Sequence, residues 1–142
     1  MQQTQQNPYM LKNPYNTYKE QNVLTAKPME LILMLYNGLR KNILLAQRDM
    51  ERHNTEGIHN HLVKAQSIVN ELINSLDMSF SISRDLMSIY EFILNQLSAI
   101  NMAKAPEGID ALLEIIDTLR DAWQQVNVMQ KDGTLPLEEE QV

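Results

Sequence analysis

Apolar residues recur along most of this chain at steps of three and four, the spacing that gathers side chains on one face of an α-helix. The first such stretch opens at Pro28, which suits the first position of a helix because its missing N–H costs nothing there, and it is predicted to run to about Arg52. Glu30 falls in its first turn, favourably placed against the macrodipole. "HNTEG" (53–57) breaks the pattern, and Ile58, Leu62, Ala65, Val69, Leu72 and Leu76 resume it. "SFSIS" (79–83) reads as a polar turn with Ser83 as the cap of a third helix, whose stripe is Leu86, Ile89 or Tyr90, Ile93, Leu97 and Ile100. "KAPEG" (104–108) is the next break, with Pro106 again read as a helix start. Ile109, Leu112 or Leu113, Ile116, Leu119, Trp123 and Val126 form the fourth stripe, and "KDGTLPLEEEQV" reads as a frayed acidic tail.

Helices of about 20 to 25 residues are each roughly 30 to 37 Å long at a rise of 1.5 Å per residue. The links between them are short, which forces consecutive helices antiparallel. The predicted fold class is therefore all-α: an antiparallel up-down-up-down four-helix bundle with a flexible N-terminal arm. Its divisions are an arm over 1–27, the bundle over 28–129 and an acidic disordered tail over 130–142.

One helix carries more apolar surface than such a bundle needs. At 100° per residue, Leu31, Ile32, Leu33, Met34, Leu35 and Tyr36 go all the way round, so some must point away from a single core stripe. Either the chain's own arm or another chain covers them. The arm holds Tyr9, Tyr15 and Tyr18, three of the five tyrosines, in a region rich in Gln and Asn, and Asn-Pro-Tyr occurs in it twice, at 7–9 and 13–15. Tyrosine suits amphipathic contacts, which fits an arm that lies back on the bundle.

Charge and composition narrow the function classes. A formal net charge of −6 argues against a phosphate backbone or an anionic membrane as the main partner. No local basic patch is apparent, because Arg40, Lys41 and Arg48 are spread among apolar residues. With no cysteine there is no disulfide framework and no thiolate metal site. The N-terminus lacks the cationic start and apolar core of a secretory signal, and the apolar run 31–36 is far short of the roughly 20 residues that span a bilayer. These features predict a cytoplasmic protein with no membrane insertion.

Catalytic and cofactor signals are weak. Glu56 and His59 have the i, i+3 spacing of di-metal four-helix-bundle oxidases, but no second Glu-x-x-His accompanies them and they fall at a predicted helix start. His59 and His61 are two apart, which points them in different directions on a helix, and solvated histidines are the expectation. There is no Gly-rich phosphate loop, cysteine nucleophile or serine triad pattern, so neither an enzyme nor a cofactor is predicted.

Asn13-Pro14-Tyr15, Tyr18, Val23, Thr25-Ala26, Pro28, Glu30-Leu31 and above all Met34-Leu35-Tyr36-Asn37-Gly38 resemble the flagellin-specific export chaperones of the FliS family. "SLDM" (75–78), "LMSIYEFILNQLSAIN" (86–101) and "IDALLEIIDTLRDAWQQV" (109–126) are similar to later helices of that family, so the resemblance covers 13 to about 129. It departs from the usual pattern at Lys27 before the helix-starting proline, in the glycine-free "SFSIS" link and in the extra Asn-Pro-Tyr at 7–9. The resemblance implies a cytoplasmic bundle that binds the disordered C-terminal segment of flagellin, blocks premature polymerisation and keeps the subunit competent for type III export. It names Leu31, Met34, Leu35, Tyr36, Leu86 and Tyr90 as candidate flagellin-binding residues, with Met87 a further methionine near them, and Tyr15, Tyr18 and Val23 as a cover for the empty groove. A flagellar export gate protein and a competing flagellin-binding regulator are the further partners it implies. Without the signature, a generic helical adaptor binding another amphipathic helix fits the same pattern.

Overall fold

A computed structural model describes residues 28–132 of the 142-residue chain. Four α-helices follow one another in them: α1 (Pro28–Glu51), α2 (Thr55–Asn74), α3 (Ser81–Ala103) and α4 (Ile109–Asp132). They form the four-helix bundle that the periodicity predicts. The described residues divide between two units of the chain at 31/32, and the packing below belongs to the second.

The core is one contiguous cluster to which every helix contributes a stripe at helical spacing. Leu35, Tyr36, Leu39, Ile43 and Ala46 come from α1, and Ile58, Leu62, Ala65, Ile68, Val69 and Leu72 from α2. Leu86, Tyr90, Ile93, Leu97 and Ile100 of α3 meet Ile109, Leu112 and Ile116 of α4. At about 25 cal/mol per Å² of buried apolar surface, such a cluster is the dominant favourable contribution to the fold. Side-chain pairs give the register. Tyr36 meets Trp123 and Arg40 meets Asp117, so α1 and α4 run antiparallel. Asp49 with His61 ties α1 to α2, and His59 with Asn101 ties α2 to α3.

The links correct two details of the sequence reading. Ser83 does not cap α3. The helix begins two residues earlier with Phe80 at the cap position, while the buried Ser83 donates its hydroxyl to the Asp77 carbonyl at 2.6 Å. Asp77 supplies the polar turn instead, its carboxylate accepting from both the backbone N–H and the hydroxyl of Ser79. Those bonds hold the Asp77 carboxyl below its ordinary value. Pro106 likewise stands three residues ahead of α4, and its carbonyl accepts from the Ile109 N–H in a turn completed by Gly108 at φ +91°. That positive φ suits glycine, and the turn takes up the residues that separate Pro106 from the helix.

The α1–α2 corner is tightly built. Asn54 caps α2 by accepting from the Gly57 N–H at 3.0 Å, and His61 Nδ1 lies 2.8 Å from the carboxylate of the buried Asp49. A Cβ on Gly57 would run into the carboxylate of the buried Asp49, so this close approach favours glycine. His61 is therefore a half-buried partner of a buried acid, contrary to the expected solvated histidine, because antiparallel packing of α1 and α2 brings position 49 to position 61. His53 and His59 are exposed, as read from the sequence.

Candidate binding surface

The structure separates the six candidate flagellin-binding residues by depth. Leu35, Tyr36, Leu86 and Tyr90 belong to the core cluster, whereas Leu31 and Met34 are half-buried. Ile32 is half-buried against the core, and Leu33 is buried outside the contiguous cluster. The run 31–36 therefore reaches different depths on different sides, as its all-round composition demands. Met87 is half-buried. Tyr15, Tyr18 and Val23 lie outside the described residues.

Tyr36 and Tyr90 are side by side in the interior. Their hydroxyls are 2.6 Å apart, their ring centroids 6.5 Å apart with a tilt of 52°, and Trp123 Nε1–H donates to the Tyr36 oxygen at 3.2 Å. Three helices thus share one buried polar knot. Burial pushes the Tyr36 phenol above its ordinary range, reinforced by the neighbouring Tyr90, and burial raises Tyr90 too. Neutral phenols can donate and accept within the knot, so it locks α1, α3 and α4 together.

Surfaces available to a partner lie elsewhere. On α3, Ile82 is 60% exposed and Phe92 45%, and with the half-buried Ile89 they stand at steps of seven and three, on one flank of the helix. Val63 of α2 and Met102, near the end of α3 and 83% exposed, are further uncovered apolar side chains. Apart from Ile89, which shares its stripe position with Tyr90, the periodicity does not single these residues out, because residues beside a core stripe read as ordinary surface.

The outward face of α1 carries the other feature. Asn37, Lys41, Leu44 and Arg48, at steps of four, three and four, are all exposed. With Arg40, Leu45 and Arg120 of α4 they line a shallow open depression of about 400 Å³. Helical spacing gathers cations that are scattered in the sequence, so a basic patch exists where the linear reading found none. Arg40 Nε pairs with Asp117 at 2.8 Å, Arg48 stands 4.0 Å from Asp49, Arg120 pairs with Asp117 and Asp121, and Lys41 has no ion pair among the described residues. Met34 stands seven residues before Lys41 and continues this face toward the start of the helix.

Among the described residues, no group of three or more His, Asp or Glu side chains is arranged to hold a metal ion. Glu56 lies exposed in the first turn of α2, and His59 bonds Asn101 at 3.1 Å. No helix of the described residues is long and apolar enough to cross a membrane.

Comparison with known proteins gives this bundle its context. Residues 11–131 match the family model described as flagellar protein FliS. The chain is similar to a flagellar secretion chaperone FliS of Bacillus subtilis, 37% identical over 116 residues that cover 81% of this chain and 86% of the relative. A flagellar secretion chaperone FliS of Vibrio cholerae is 28% identical over 71% of this chain and 76% of its own. One from Salmonella typhimurium is 25% identical over 76% and 82%. The bundle, the signature around Met34-Leu35-Tyr36-Asn37-Gly38 and these matches agree: the chain belongs to the FliS family of flagellar secretion chaperones.

Proposed function

We propose that this protein binds the C-terminal segment of flagellin in the cytoplasm, prevents its premature polymerisation and holds it competent for type III export. The family membership carries the reading, and uncovered apolar side chains on a rigid bundle supply the physical means. A segment that is disordered when free can fold as an amphipathic helix against such side chains, offsetting its ordering entropy by burying its own apolar face. Met34 on α1 and Ile82 and Phe92 on α3 are side chains accessible for that contact. Leu35, Tyr36, Leu86 and Tyr90 support the surface from beneath, while Leu31 extends the half-buried part of α1. An export gate component and a regulator competing for flagellin are the further partners of this reading.

Titration calorimetry of the purified protein with a flagellin C-terminal peptide tests it, with an unrelated amphipathic peptide as control. Saturable binding by the flagellin peptide alone, with a gain in helical circular dichroism, is the expected result. Equal binding of both peptides would indicate a generic helical adaptor. A Kd weaker than about 1 mM, equivalent to less than about 4 kcal/mol, would overturn the proposal.

A further inference from the structure

The outward face of α1 combines positive charge with an apolar floor in a chain whose net charge is −6. Arg40, Lys41, Arg48 and Arg120, four of the 12 lysines and arginines, line one depression, and no acidic side chain lines it with them. Cations gathered in this way repel one another, and a negatively charged partner relieves that repulsion. The neighbouring aspartates do so only in part. Arg40 and Arg120 share Asp117, Asp49 has its other oxygen on His61, and Lys41 has no ion pair among the described residues. A guanidinium carries five N–H donors, so Arg40, which meets Asp117 through Nε, has its terminal N–H groups as further donors.

Spacing on the face specifies the occupant. Lys41 and Arg48 are seven residues apart on one side of α1, or about 10 Å along its axis at a rise of about 1.5 Å per residue. Leu44, 37% exposed, stands between them, with the half-buried Leu45 beside it. A matching segment presents two carboxylates about 10 Å apart with an apolar side chain between them. Glutamates seven positions apart on an α-helix, with a leucine three or four positions after the first, give that pattern on one face. An extended segment matches less well, because the backbone groups in the middle of α1 are bonded within the helix and leave a strand nothing to pair with. A helix satisfies its own backbone. Charge and floor act together, since exposed ion pairs contribute little alone and the leucines supply apolar burial.

We propose that Lys41, Leu44 and Arg48, flanked by Arg40 and Arg120, form a docking site for an acidic amphipathic helix of a partner protein, lying along the outward face of α1. Lys41 is the cation that gains most from the contact, because the three arginines already have aspartate neighbours. The site stands apart from the side chains assigned above to flagellin. Met34 lies seven residues before Lys41, about 10 Å nearer the start of α1, and Ile82 and Phe92 belong to α3. A two-turn contact over 41–48 therefore leaves them uncovered, and the protein can hold both partners at once.

The probe is a synthetic alanine- and glutamine-based helical peptide with two glutamates seven positions apart and a leucine between them, titrated into the isotope-labelled full-length protein. Saturable shifts of the Lys41, Leu44, Leu45 and Arg48 amide signals, with a Kd below about 1 mM, are the expected result. Replacing both peptide glutamates by glutamine, or raising the salt to about 1 M, where the Debye length is about 3 Å, should weaken binding about three- to tenfold. Lys41→Glu and Leu44→Gln should each weaken it as well. Both positions are exposed and outside the core, so both variants should melt near the parent. No saturable shift, or shifts centred on another helix, would overturn the proposal. Equal affinity for a polyglutamate lacking the leucine would also overturn it, since the surface would then read charge alone. So would displacement of the probe by a flagellin C-terminal peptide, which would merge the two sites. A flagellin peptide that fails to bind while the probe still does would count against the chaperone reading only.

Discussion

The two faces of α1 each carry a leucine at helical spacing, and the two leucines have opposite fates. Tyr36, Leu39, Ile43 and Ala46 are completely buried, while Asn37, Lys41, Leu44 and Arg48, one residue or two away along the chain, are exposed. Both sets step at helical spacing and both include leucine. What separates them is the neighbour: the inward face meets apolar stripes of the other helices, and the outward face meets a rim of cations and open solvent. Apolar composition alone therefore does not assign a side chain to the core. Its angular position relative to the other three stripes does.

The sharpest way to break this comparison is to make the same chemical change on both faces. Leu39→Ala removes a fully buried side chain from the cluster and is expected to cost about 2 to 5 kcal/mol. Leu44→Ala, on the exposed face, should stay within about 0.5 kcal/mol. Urea denaturation of the two variants measures the contrast directly, and equal losses would mean that the outward face is packed in solution.

The polar knot sharpens the inward side. Tyr36→Phe removes the hydroxyl that joins Tyr90 to Trp123, leaving buried polar groups without that partner, and should cost about 1 to 3 kcal/mol. A double-mutant cycle with Tyr90→Phe should show a coupling of about 0.5 kcal/mol or more, since the two hydroxyls satisfy each other. Strict additivity would dissolve the knot into independent packing contributions.

Alkaline titration gives a smaller, pH-resolved version of the same contrast. The Tyr36 and Tyr90 phenols are raised above the ordinary value of 10.0 by burial, so the unfolded chain releases their protons first. The unfolded state then binds fewer protons than the folded one, and stability must fall as pH rises above about 10. Below that value their contribution is fully present. Melts across this range should show a shallower decline in Tyr36→Phe than in the parent. On the outward face, Lys41→Ala should change stability by no more than about 0.5 kcal/mol at neutral pH.

Much of the fold was legible because helical periodicity is a strong, redundant signal. Leu86, Tyr90, Ile93, Leu97 and Ile100 all occupy the core stripe that their spacing implies. The breaks were legible in kind but not in detail: Pro106 and Ser83 each sit near a helix start, yet turn hydrogen bonds shift the actual starts to Ile109 and Ser81. Chemistry that arises from packing was not legible. Nothing in the sequence spacing joins Asp49 to His61, Tyr36 to Tyr90, or Arg40 to Arg120, because those pairings depend on helix register. The surplus of the 31–36 run was visible in sequence, but its division between a core Leu35 and a half-buried Met34 required the geometry.

Met34 and Leu35 are consecutive residues on different sides of α1, so they allow the most direct test of whether the fold and the partner surface occupy separate faces. Thermal melts and titrations with a flagellin C-terminal peptide should be run on Met34→Glu and Leu35→Glu. Burying an unpaired carboxylate at Leu35 costs several kcal/mol, a large part of a domain stability of about 5 to 15 kcal/mol. Leu35→Glu is therefore expected to unfold or melt at much lower temperature. Met34→Glu should melt near the parent and lose peptide binding, because its carboxylate stays hydrated until the partner arrives. Parallel loss of stability and binding in both variants, or full binding by a folded Met34→Glu protein, would contradict the separation of the two faces.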